Sequence, residues 1–143
     1  MNAMNLALRT AIAVSVAVGG VVHAYLYIHG YRDIPTIGPA FLLQGSVFCA
    51  LAVLILAGGP AWLRWAAAAG AAGSLVAFAL SRTVGLFGFT ETGWEPSPYA
   101  LLSVVVEVLA VVLVVVTFMP RRPSPVGGRQ PAPAESEPSV QER

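Results

Sequence analysis

Four strongly polar side chains stand inside otherwise apolar stretches of this sequence: His23, Gln44, Arg82 and Glu107. An imidazole, a primary amide, a guanidinium and a carboxyl together could exchange protons, hold a small ligand or pair charges. In hydrocarbon such groups are expensive and face a bundle interior or a wet cavity, so four of them on four helices are expected to converge on one site. Ser103 precedes Glu107 by one helical turn and shares its face. His23 and Arg82 are shallow enough to snorkel toward a headgroup region, and Gln44 could serve as interhelical glue. Glu107 has neither escape, because a carboxyl near a helix midpoint reaches no interface; it needs a buried partner or a proton. Arg82 is the expected partner, its long stem reaching inward to Glu107.

Other chemistries find little footing. His23 and His29 do not share a helix face, so a two-histidine metal or haem site would need a dimer pairing two copies of His23. No metal is assigned and no cofactor is predicted. The sequence has no GxSxG, HExxH or phosphate-binding loop, and Gly85-Leu86-Phe87-Gly88 is too short and apolar to cradle a phosphate. Cys49 is the only cysteine, cannot form an intramolecular disulfide, and is read as a small apolar residue. An enzyme using Glu91, Glu95 and His29 is conceivable, but solvated loop charges explain those residues more simply.

The elements that must position the polar residues are apolar runs, approximately Leu6–Ile28, Pro39–Leu56, Ala61–Leu80 extended to Phe87, and Pro98–Met119. Each approaches the ~20 residues that cross ~30 Å of hydrocarbon. Tyr31-Arg32-Asp33-Ile34-Pro35, Gly58-Gly59-Pro60 and Gly93-Trp94-Glu95-Pro96-Ser97-Pro98 separate them, with Ser97 expected to cap the last helix and Pro98 to open it. The expected fold is an all-α, four-helix transmembrane bundle over residues 1–119. A disordered cytoplasmic tail, 120–143, follows, since it has no aromatic residue and is dense in Pro, Ser, Glu and Gly.

Composition agrees: 57% of the 143 residues are hydrophobic, 10% are charged, and the net charge is +1. So small a domain could not hide that much apolar surface from water, and there is no basic field for nucleic acid. The expected partners are the lipid bilayer and, through it, other membrane proteins or further copies of the chain. Arg9, Arg64, Arg121 and Arg122 would share one side, which the positive-inside rule makes cytoplasmic; both termini then lie inside a bacterial plasma membrane. A rival reading takes residues 1–24 as a cleaved signal peptide ending Val22-His23-Ala24, although the apolar run continues through Leu26 and Ile28.

Ser15-xxx-Gly19 and Gly70-xxx-Ser74 fit the small-xxx-small spacing that lets helices approach closely, and are read as packing features. A shift of 59 residues superposes Gln44 on Ser103 and His23 on Arg82, a faint sign of parallel repeats. Ser81-Arg82-Thr83-Val84-Gly85-Leu86, Trp94-Glu95-Pro96, Glu107 and the first-helix His23 resemble a group of uncharacterised small four-helix membrane proteins of high-GC, actinobacterial-type bacteria. Phe87 stands where many of those carry proline. The resemblance implies the fold and no activity. On function, absent motifs and small size favour a non-enzymatic accessory or interaction subunit whose outward-facing polar cluster organises the bundle or touches a partner. The alternative is a small-ligand, proton, metal or quinone-binding protein using the same cluster.

Overall fold

The computed structural model describes residues 3–119, and the expected tail lies outside them. The described residues form four helices, α1 (Ala3–Leu26), α2 (Ile37–Leu56), α3 (Trp62–Arg82) and α4 (Tyr99–Phe118), with a π-helical turn at Tyr27–Tyr31 prolonging α1. All four are long and apolar enough to cross a membrane. Valine, leucine and alanine dominate them, and apolar side chains such as Val14, Leu43, Val76 and Val108 cover the outside of the bundle. A helix that is apolar all round is suited to a lipid surrounding.

The helices run up and down with short connections. The turn between α2 and α3 brings Gly58 against the Arg9 guanidinium near the start of α1, and Trp65 stacks on Phe118 at 5.0 Å. This is the terminal end of the bundle. At the connection end, the 27–36 segment meets the 83–98 segment through Tyr31 and Glu91. α1 packs most extensively on α2 and then on α4; α3 packs on α4 and more sparingly on α2.

Close approach of α1 and α2 rests on residues the spacing argument did not select. A Cβ on Gly45 would lie 3.1 Å from the Ala24 backbone nitrogen, and one on Gly20 3.0 Å from the Cys49 sulfur. The Phe48 ring fills the space between Gly19 and Gly70, where added Cβ atoms would meet it at 3.3 and 2.8 Å. Around it the core of the terminal half closes, with Ile12, Val16, Ile55, Ala67, Ala71 and Val114 buried.

Three boundaries differ from expectation. α1 begins three residues earlier than read and passes into the wider π turn, where His29 and Gly30 leave helical geometry. α3 stops at Arg82 rather than running to Phe87, because Thr83 departs from helical angles and Gly85 follows at φ +86°. Ser97 does not cap α4: no side-chain cap is formed, and Pro98 is the residue before the helix rather than its first. Leu86 and Phe89 then pair across a tight turn whose Phe87 has φ +51°, an angle that a proline ring forbids. A proline at Phe87 would therefore require a different turn.

Candidate functional site

Glu107 is the deepest polar residue of the bundle. It projects from the middle of α4, about 12 Å along the axis from Tyr99 at ~1.5 Å per residue, and only 2% of it is exposed. Its Oε1 accepts the amide Nε2–H of Gln44 on α2 at 3.1 Å and the hydroxyl of Ser103, one turn earlier on α4, at 3.3 Å. Gln44 and Ser103, which coincide under the 59-residue shift, thus serve the same oxygen.

His23 approaches from α1. Its Nδ1 lies 2.9 Å from the Gly19 carbonyl, which only accepts, so Nδ1 carries the hydrogen and Nε2 of the neutral ring is an acceptor. Nε2 stands 3.4 Å from the Ser74 hydroxyl on α3 and 3.8 Å from Glu107 Oε1. Every helix therefore contributes to one polar floor.

Above that floor lies a cavity of about 280 Å³, walled mainly by apolar and aromatic side chains and reaching the connection end. It exists because α2 and α3, joined by a tight turn, pack only in the terminal half and part above Phe48. Ala40 of α2 and Gly73 of α3 both line the cavity and are exposed, so the gap between these helices opens sideways. Nothing lies within 4 Å of where a Cβ on Gly73 would stand.

A second polar group closes the connection end. Glu91 accepts the Tyr31 hydroxyl at 2.5 Å through Oε1 and Arg82 Nη1–H at 2.8 Å through Oε2. Arg82 also donates to Ser81 Oγ at 3.0 Å, to the Gly93 carbonyl at 2.9 Å and to the Glu95 carbonyl. Its guanidinium rests on the Phe78 ring, 4.4 Å from the centroid, and Phe78 in turn meets Trp94. One arginine thereby holds the whole 83–98 connection over the cavity.

The expected cluster is thus divided. His23, Gln44, Ser103 and Glu107 converge, whereas Arg82 lines the same cavity but pairs with Glu91 instead of Glu107. The reason is the early end of α3: with the helix finished at Arg82, the side chain lies beside the folded-back connection, whose carbonyls and carboxylate are nearer. Ser74, assigned to packing with Ser15, Gly19 and Gly70, instead faces the cavity and His23. Ser15 bonds back to the Ala11 carbonyl within α1, as buried helical serines do. His23 is buried within its own bundle, so two copies cannot meet across a dimer face.

Tyr31 and Glu91 were missed as cavity residues, since each lies in a break between apolar runs and reads as an interfacial or solvated group. The alternation of Phe89 with Glu91 after a Gly-Leu-Phe-Gly turn was the available signal that this break folds inward. Among the described residues no group of three or more His, Cys, Asp or Glu could hold a metal ion. No protein-family model, curated protein or solved structure matches this chain.

Proposed function

We propose that this protein binds a small lipid-soluble molecule inside the membrane, in the cavity floored by Glu107, Gln44, Ser103, His23 and Ser74. The cavity itself carries the reading. Small-molecule sites are concave and mostly apolar, with a few convergent polar groups that fix orientation, and this space has that composition. An accessory subunit that needed only a stable bundle has no use for it. A bundle selected for packing alone would close such a volume with larger residues at Gly73 or Ala77.

The arginine distribution supports a plasma-membrane orientation with both termini in the cytoplasm, so the Tyr31–Glu91–Arg82 end faces outward. In that orientation the site lies in the outer half of the bilayer. Binding is tested by purifying the protein from its own membrane, extracting it with organic solvent and comparing the extract with that of an Ala77→Phe variant that fills the cavity. A small molecule enriched at least tenfold with the unsubstituted protein is expected. Identical extracts, together with unchanged thermal stability on adding lipophilic compounds, would remove the reading.

A further inference from the structure

We propose that the molecule held in this cavity is an organic cation with an apolar body, its charge placed against Glu107. The inference deepens the binding reading above and rests on it. Its starting point is the charge balance of the enclosed space. The acids lining the cavity are Glu91 and Glu107, and the bases are Arg82 and His23. Arg82 is committed to Glu91 at 2.8 Å, with its remaining donors on Ser81 and the Gly93 and Glu95 carbonyls. Glu107 is left with neutral donors alone, Gln44 and Ser103 on one oxygen and the Ser74 hydroxyl beside the carboxyl.

His23 does not close the balance. Its Nδ1–H is spent on the Gly19 carbonyl, and its Nε2 stands 3.8 Å from the carboxyl, beyond hydrogen-bond distance. In the neutral ring that nitrogen is a second acceptor facing the same space. Between the two acceptors stands the Ser74 hydroxyl, 3.4 Å from Nε2, a donor with one hydrogen and no charge; an ammonium group brings further donor hydrogens and the missing charge. Intramembrane carboxyls characteristically pair with an opposite charge or mark an ion pathway.

The walls suit the rest of such a molecule. Tyr31, Phe41, Phe78 and Phe89 line the cavity, and aromatic faces attract desolvated cations, most strongly where water is excluded. The sideways gap between Ala40 and Gly73 gives an apolar body a path from the bilayer. An anionic ligand would meet Glu107 and Glu91 and find no uncommitted guanidinium among the lining residues.

2-Phenylethylammonium and its uncharged isostere propylbenzene differ only in an ammonium group in place of a methyl, so they isolate the charged donor. Binding of each is measured by thermal stabilisation of the full chain in phosphatidylcholine nanodiscs, whose zwitterionic lipid does not gather cations. The expected result is at least tenfold tighter binding of the cation, lost in Glu107→Gln and retained in part in Glu107→Asp. If both compounds bind alike, the cavity reading stands and the cation inference is overturned, Glu107 then holding a proton in place of a counter-ion. A cation preference that survives Glu107→Gln also overturns it, since Glu91 would then hold the charge. If neither compound binds, the inference and the cavity reading both fall. Should Glu107→Gln not fold, the wild-type comparison still decides between cation and isostere.

Discussion

Arg82 and Glu107 line one cavity but do not pair: the guanidinium meets Glu91 at 2.8 Å and the carboxyl meets Gln44 at 3.1 Å. Two polar groups that could have neutralised each other are held apart, one at the mouth and one at the floor.

Double-mutant cycles measure that separation. Arg82→Gln combined with Glu91→Gln should show a coupling of about 1–2 kcal/mol in detergent, because each single change strands a half-buried partner. Arg82→Gln with Glu107→Gln should be additive within about 0.5 kcal/mol. Strong coupling in the second cycle would mean the ion pair reforms across the cavity.

Gly38 makes a sharper stability test. A Cβ there would lie 2.5 Å from the Arg32 carbonyl oxygen and 2.6 Å from that of Tyr31, both backbone atoms that cannot step aside. Gly38→Ala should therefore destabilise the bundle by about 1–3 kcal/mol, and should displace Tyr31 from Glu91. A thermal midpoint equal to that of the parent would contradict this packing.

Gly73→Leu should behave in the opposite way. The position is helical and open, so exchanging glycine should leave stability unchanged or raise it by up to about 1 kcal/mol. The leucine side chain would stand in the gap between α2 and α3. 2-Phenylethylammonium binding should fall at least fivefold, and binding equal to that of the parent would argue that ligands enter past Arg82 instead.

Orientation is open to labelling. In a Cys49→Ser background, single cysteines at Asp33 and Ser97 should react with an impermeant thiol reagent on intact cells, while one at Gly127 should not. Reaction at Gly127 from outside would invert the proposed arrangement.

The spans were legible because long runs of Val, Leu and Ala leave lipid as the only accommodating solvent, and Gly58-Gly59-Pro60 marks a turn plainly. The convergence of His23, Gln44, Ser103 and Glu107 was legible for a similar reason, as polar groups on apolar helices have few places to go. The fate of Arg82 was not. It depended on whether α3 ended before or after that residue, and Thr83, which is compatible with either, hid the answer until Gly85 turned the chain. The closest helix contact was also hidden: in helices rich in small residues, Gly20 and Gly45 have no spacing that separates them from Ser15, Gly19, Gly70 and Ser74. Only the partner surface, Ala24 and Cys49, distinguishes them.

Phe48 sets a length scale. Its ring, locked between Gly19 and Gly70, is the stop below which nothing bound at Glu107 can extend, much as a plug fixes the depth of a well. Shortening that one side chain to alanine would deepen the well toward Ala67 and Ala71 without touching any polar group. The reach of an accepted molecule and the chemistry of its head are therefore governed by different residues, so that the chain could change what size of guest it admits while still recognising the same kind of charge.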